Sequence, residues 1–326
     1  MRRFLRAALA LIVVIAAALF LFNSSRLVAP PEGEPFLIAH RGLGQTFRRE
    51  GLTGETCTAA RIFPPEHPFI ENTIPSIAAA FDYGADMVEF DVQPTTDGEF
   101  VVFHDWTLDC RTDGTGATRD HSLAELRALD LGYGYTADGG ATHPLRAKGV
   151  GMMVTLDELL DAFPGRRFLI NVKSDDPEEG RLLGEYLSAR TADDRVRLSA
   201  YGGTRPMAEL AARLLDIQTF GASSLKDCLL TYLAAGWSGY VPEACRGGLV
   251  MLPINAAPWF WGFPNRMAQR IAAAGGDIVL LGDYDGSGFS SAIDSEEEFA
   301  RIPSDFVGGI WTNRVDRIGP LMSRLR

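Results

Sequence analysis

Residues 84–105, GADMVEFDVQPTTDGEFVVFHD, decide how the rest of the chain is read. The apolar run 87–93 (MVEFDVQ) has the length of a strand, yet it carries two carboxylates, Glu89 and Asp91. Side chains two apart on a strand point to the same side. A buried carboxylate is costly without a partner, so an inward-facing pair must bind something. Asp97-Gly98 reads as a turn into a second short extended segment, Glu99–His104. His104-Asp105 thereby comes back close to the end of the first strand.

Working outward, short apolar strands alternate with amphipathic helical stretches. The strands are 36–40 (FLIAH), 87–93, 168–173 (FLINVK), 196–200, 217–221, 248–254, 277–281 and 309–313 (GIWTN). Helical patterns lie between most of them, as at 73–83, 177–189, 206–215, 225–235 and 266–274. Strand and helix in alternation predict βαβ units on a parallel sheet. Eight such strands predict closure into a (β/α)8 TIM barrel, which removes both sheet edges. In that fold the strand ends carry the chemistry. His40 and Arg41 end the first strand, and Asn171 and Lys173 on 168–173 have the same two-residue relation as Glu89 and Asp91. Long insertions follow the first two strands, at 43–70 and 93–163, where they would shape or cover a site.

The first residues stand apart. Arg2, Arg3 and Arg6 precede a sixteen-residue apolar run from Ala7 to Phe22. A positive flank before an apolar stretch predicts a signal anchor or a signal peptide over 1–25, with the arginines on the cytoplasmic side. A linker at 26–35 then leads to the barrel at 36–326. The expected location is outside the cytoplasm, anchored to the membrane or secreted. Export favours disulfides among Cys57, Cys110, Cys228 and Cys245. Three pairings are open, and Cys57–Cys110 with Cys228–Cys245 is the most local. Asp and Glu number 42 against 31 Lys and Arg, a balance that argues against a nucleic-acid partner.

From AHRG (39–42) through ENT (71–73), GADMVEFDVQPTTDGEFVVFHDWTLDCRTDGTG, NVK (171–173) and GIWTN, the chain resembles the glycerophosphodiester phosphodiesterase family. The resemblance implies a (β/α)8 barrel that uses a divalent cation, Ca²⁺ or Mg²⁺, to cleave a phosphodiester to an alcohol and a phosphomonoester. It implies His40 and His104 as an acid–base pair, and Arg41 and Lys173 as holders of the phosphate. Glu71, Glu89 and Asp91 would serve the metal, joined by Asn171 where the family usually has an acidic residue. Hard cations prefer carboxylate oxygens, and an amide oxygen brings no charge, so weaker metal binding is expected. The implied substrate is a glycerophosphodiester or a lysophospholipid. The alternatives are a lysophospholipase-D or sphingomyelinase-D-like enzyme forming a cyclic phosphate, and a non-catalytic barrel that binds phosphodiesters.

Pro258–Pro264 (PWFWGFP) follows the sixth barrel strand. Trp259, Phe260, Trp261 and Phe263 there read either as a local core or as a wall for an acyl chain or the bilayer. His67, His121 and His143 lack comparable context and read as surface or loop residues.

Overall fold

The computed structural model describes residues 2–286 and 291–326. Its nine strands are β1 (Phe36–His40), β2 (Met87–Pro94), β3 (Phe100–Val102), β4 (Arg167–Val172), β5 (Leu198–Gly202), β6 (Gln218–Gly221), β7 (Leu249–Pro253), β8 (Asp277–Leu281) and β9 (Gly309–Thr312). All but β3 are parallel, in the order β6-β5-β4-β2-β1-β9-β8-β7, so the sheet curls into a nearly closed eight-stranded barrel. At the seam between β6 and β7 the walls still approach closely. A Cβ built on Gly248 would lie 3.2 Å from that of Phe220.

β3 pairs antiparallel with the end of β2 through the 95–98 turn, where Gly98 has φ +85°. That is the hairpin expected at Asp97-Gly98. The largest boundary differences are two residues, at β5, which begins that much later than the apolar pattern suggested, and at β3, which ends that much earlier.

Strand phase sorts the interior. Ile38, Met87, Leu169, Leu249, Met251, Val279, Leu281 and Trp311 fill the barrel. Their alternates, such as Leu37, Val88, Phe90, Phe168, Ile170 and Ile310, meet the surrounding helices. A third core, including Ile62, Phe103, Leu126, Leu131 and Tyr135, lies inside the two insertions. The long insertions are therefore packed structures. Cys57–Cys110 joins them, and Cys228–Cys245 closes the other local pairing.

The helix Arg2–Asn23 is exposed along nearly its whole length, and it is long and apolar enough to cross a membrane. Its end is tied to the barrel. Asn23 donates to the Trp237 carbonyl at 2.9 Å and accepts from Arg270 at 3.0 Å. Beyond it, Ser25 accepts from the Asn265 amide and Ala29 from Gln269, each at 2.8 Å. The stretch expected as a linker is thus hydrogen-bonded to the helix Asn265–Ala273.

Candidate active site

Register brings the chemistry together. His40 pairs with Glu89 across β1 and β2, Asp91 with Asn171 across β2 and β4, and Asn171 with Tyr201 across β4 and β5. Each of these side chains continues an inward-facing row of its strand. The polar residues thus form the last layer of the barrel interior, above the apolar one.

The turn after β1 is tight. Arg41 adopts φ +59°, and Gly42 follows at φ +74° where a Cβ would come within 2.8 Å of the Ser76 backbone. This bend directs the Arg41 amide to Glu89, donating to its carbonyl at 2.8 Å and to Oε2 at 3.2 Å. The ENT segment divides three tasks among three residues. Glu71 accepts from Arg41 Nη1 at 3.0 Å. Asn72, also left-handed at φ +59°, donates to Asp91 Oδ2 at 3.0 Å. Thr73 caps the helix Ile74–Asp82 by accepting from the Ser76 amide, in a capping box.

Two histidines flank this cluster, and each has its Nδ1 committed. Asn313 donates through Nδ2 to Asp294 at 2.8 Å, which leaves its Oδ1 to accept from His40 Nδ1 at 2.7 Å. The proton of neutral His40 therefore sits on Nδ1, and Nε2 carries the lone pair, 3.7 Å from Glu89 Oε2. His104 Nδ1 donates to Asp105 Oδ1 at 2.6 Å, and its Nε2 accepts from Lys173 Nζ at 2.9 Å. Burial, followed by the nearby Arg41, holds both imidazoles below their ordinary range, His40 at about 3. Both are neutral bases at pH 7 in this arrangement.

The carboxylates respond differently to the same depth. Burial and the charge of Asp91 push Glu89 up, although Tyr201 donates to its Oε1 at 2.7 Å. Burial also pushes Asp91 upward, but Arg41 and the other positive neighbours outweigh it and hold the group well below the carboxylate range. For Glu71 burial is likewise outweighed, here by Arg111 and Arg41. Two carboxylates two residues apart thus separate, the one nearer the guanidinium and ammonium staying ionised.

Of the four expected metal-site residues, Glu71, Glu89 and Asp91 gather around Arg41, and Asn171 joins them through Asp91. Arg41 Nη1 holds Glu71, and its Nε lies 3.2 Å from Asp91 Oδ2 without being aligned to donate, so that buried N–H has no hydrogen-bond partner. Asn171 presents its NH₂ to Asp91, donating to Oδ1 at 2.8 Å. Among the described residues, no three His, Cys, Asp or Glu groups stand as a ready-formed metal shell. Lys173 is 3.7 Å from Asp91 Oδ1, so it serves both that carboxylate and His104.

Several participants were not singled out from sequence. Arg111 is buried, pairing with Glu71 at 3.1 Å and donating to Asp105 at 2.9 Å, so one guanidinium braces two site carboxylates. It stands beside Cys110 in the DCRTDGTG segment, and the disulfide fixes its neighbour to the first insertion. Tyr201 could have been found from its phase with Ser199 on β5. Asn313 closes the GIWTN segment but was given no role there, and Asp294 gave no local signal. His67, expected as a surface or loop residue, lies in a loop, half-buried beside Gln45, 3.1 Å away, and lines a cavity of about 660 Å³ with His40, Arg41, Phe47, Phe63 and Arg314.

The aromatic loop divides. Phe260 stacks on Tyr232 inside the core, and Phe263, partly buried, packs on Phe306 against it. The expectation that these two contact an acyl chain or the bilayer does not match their burial. Trp259 and Trp261 are exposed, and neither lines the cavity at His40.

The model of the glycerophosphoryl diester phosphodiesterase family matches residues 40–228, more than half of the chain. A glycerophosphodiester phosphodiesterase of Bacillus altitudinis is 31% identical over 208 residues, covering 61% of this chain and 79% of that protein. One from Bacillus subtilis is 40% identical over 114 residues, which span 34% of this chain and only 38% of the relative's length. The fold is similar to that of an Oleispira antarctica phosphodiesterase solved in complex with the product sn-glycerol-3-phosphate (TM-score 0.56, 19% identity, 90% of this chain and 97% of that one). The chain therefore belongs to the glycerophosphoryl diester phosphodiesterase family.

Proposed function

We propose that this protein hydrolyses glycerophosphodiesters, with His40 and His104 as its acid–base pair. The observation that carries the reading is the matched state of the two imidazoles. Each is tethered through Nδ1, by Asn313 or Asp105, and each offers Nε2 beside a cluster of Arg41, Lys173 and carboxylates. A tethered Nδ1–H fixes the tautomer and leaves a correctly aimed base.

His40 suits the base. Its Nδ1–H is held by Asn313, so the Nε2 lone pair faces the site, where it can take the proton of the attacking water or substrate hydroxyl. His104 suits the acid once it is protonated, because the Asp105 carboxylate stabilises an imidazolium. That state repels Lys173, which now donates to His104 Nε2. Lys173 must then leave, and a phosphate diester is an anion it can follow. Arg41 offers a planar fork to the same phosphate. A reaction cycle thus couples the arrival of the anion to the charging of His104.

The carboxylate oxygens of Glu71, Glu89 and Asp91 fit a hard divalent cation, Ca²⁺ or Mg²⁺, with the amide oxygen of Asn171 as a neutral fourth donor. The unsatisfied Nε of Arg41 supports this assignment, since the guanidinium only partly matches the oxygens around it. When bound, the cation would neutralise charge on a phosphoryl oxygen. The cavity suits a small diester in size and has Phe47, Phe63 and Pro64 along one side, which supports a lysophospholipid as a second substrate. The arginine-flanked helix and the two disulfides support a membrane-attached catalytic domain outside the cytoplasm.

The test is release of sn-glycerol 3-phosphate from glycerophosphocholine, assayed with Ca²⁺, Mg²⁺ and chelator. His40→Ala and His104→Ala should each lower kcat by about a thousandfold. Parental turnover in either variant would refute the acid–base assignment.

A further inference from the structure

Six of the exposed aromatic and aliphatic side chains outside the active site belong to one stretch of helix and the loop bonded to it. Leu230, Leu233 and Trp237 lie at i, i+3 and i+7 along the helix Ala222–Ala235 and the turn that follows, so they form one stripe. Trp261 joins that stripe directly, its Nε1 donating to the Leu233 carbonyl at 2.9 Å. Tyr232 donates to the Trp261 carbonyl at 3.0 Å from the core side, fixing the loop in place. Trp259, 79% exposed, projects from the same loop, and Tyr240, 51% exposed, lies three residues beyond Trp237.

This stripe runs into the end of the N-terminal helix. Asn23 donates to the Trp237 carbonyl, and Arg270 lies 5.0 Å over the Phe22 ring while donating to the Gly236 carbonyl at 2.9 Å. Gly239, at φ +86°, lets Phe22 approach, since a Cβ there would sit 2.9 Å from the ring. The apolar helix therefore leaves the barrel through the patch itself, its end held by two hydrogen bonds of Asn23 to the barrel and a third from Arg270 to the Phe22 carbonyl. Tryptophan and tyrosine beside such an exit occupy the level at which aromatic rings favour a membrane interface. At 22 residues the helix is about 33 Å long, enough for the hydrocarbon core. A patch joined to that helix must meet the bilayer the helix enters.

We propose that Leu230, Leu233, Trp237, Tyr240, Trp259 and Trp261 form a bilayer-binding surface that seats the barrel on the membrane in one orientation. The surface rests on the reading of Arg2–Asn23 as a membrane-spanning helix. It is separate from the cavity at His40, whose lining includes none of the six.

The test uses the full chain in vesicles of phosphatidylcholine and phosphatidylglycerol, with or without a phosphatidylcholine brominated high on its acyl chains. Tryptophan quenching by the brominated lipid should fall at least about twofold in the double variant Trp237→Phe/Trp259→Phe. It should not fall in Trp106→Phe, which removes a ring 46% exposed elsewhere on the barrel. Full quenching in the double variant would overturn the proposal, as would protection of the patch that appears only at high protein density and so marks a second copy. Retention of the parent chain on the vesicles after an alkaline carbonate wash reports on the anchor separately. A chain washed off refutes the anchor, and with it the surface. A chain retained without patch quenching refutes the surface alone.

Discussion

Asn313 accepts the Nδ1 proton of His40 at 2.7 Å while its own amide nitrogen donates to Asp294 at 2.8 Å. Asp294 also accepts from the Asn313 backbone at 2.7 Å and from Thr312 Oγ1 at 3.1 Å. Three donors thus fix a partly buried carboxylate, which in turn fixes which end of the Asn313 amide faces the histidine. The ring is held on its other side by Trp311, 4.9 Å away between centroids. The tautomer of His40 is consequently set two residues deep, by Asp294 acting through Asn313.

Asn313→Ala and Asp294→Asn should therefore lower kcat for glycerophosphocholine about ten- to hundredfold with little change in KM. Neither side chain needs to touch the substrate for this effect. Asn313→Ala leaves Nδ1 free to lose its proton to the other nitrogen. An unchanged kcat, or a loss confined to KM, would remove the orienting role.

His40 also predicts an acid response. Its folded pKa, about 3, lies below the ordinary 6.5, so below pH 6.5 the unfolded chain binds the proton that the folded one refuses. The His40 contribution is complete above pH 6.5 and falls as pH drops toward 3, by up to about 1.4 kcal/mol per pH unit, while Glu89, held up to about 8, works in the opposite direction in parent and variant alike. His104, lowered by the same burial and by Arg41, adds to the slope. Carboxylates held low, such as Asp91, act only at more acid pH. Urea denaturation in chelator between pH 6.5 and 5 should show His40→Asn, whose amide can still donate to Asn313, losing less stability than the parent. An identical slope would mean that His40 is charged or exposed in solution.

What the sequence made legible follows period and local spacing. A two-residue alternation on 87–93 was enough to place Glu89 and Asp91 on one inward face, and β1, β2 and β8 begin where their apolar runs begin. The same alternation would have reached Tyr201, but the strand was expected at 196–200 and in fact spans Leu198–Gly202. Contacts such as His40 to Asn313, 273 residues apart, have no local signature. Nor does Arg111, since a guanidinium in a polar loop looks solvated until two carboxylates close on it. The PWFWGFP loop has no regular period, so composition could not tell that Phe260 is buried, Phe263 partly so, and the tryptophans exposed. Glu71, Glu89, Asp91 and Asn171 were expected together, but that Arg41 reaches Glu71 depends on the left-handed turn at Arg41 itself.

The two disulfides should contribute unequally. Cys57–Cys110 closes a loop with a sequence separation of 53 and Cys228–Cys245 one of 17. Loop-closure entropy gives about 4 kcal/mol for the first and about 3 for the second. The larger loop also fixes the residue before Arg111, whose guanidinium reaches Glu71 and Asp105. Cys57→Ser/Cys110→Ser should thus cost both stability and kcat, while Cys228→Ser/Cys245→Ser should cost stability alone. Chemical denaturation and turnover of the two variants check this. Equal loss of turnover in both would detach the first disulfide from the active site.

Asn171 is the residue at which the chain departs from its family's usual acidic pattern, and its neighbours give the departure a physical meaning. The amide donates to Asp91 Oδ1 at 2.8 Å, and Lys173 reaches the same oxygen at 3.7 Å. Asn171→Asp removes that donor and sets a second carboxylate against Asp91 in a buried site. Without metal the variant should lose about 1–3 kcal/mol, the cost of an unpaired buried charge reduced by Lys173. With Ca²⁺ or Mg²⁺ the sign reverses, because an added anionic oxygen raises the affinity of a hard-cation site. Thermal melting in chelator should fall relative to the parent, the gain in melting temperature on adding metal should be larger, and titration calorimetry should give about tenfold tighter binding. Both readouts are independent of turnover. A variant that melts lower in chelator yet gains no more from metal than the parent would place the cation away from Asn171, and would leave the Asn171 amide as a hydrogen-bond donor that holds Asp91 in position.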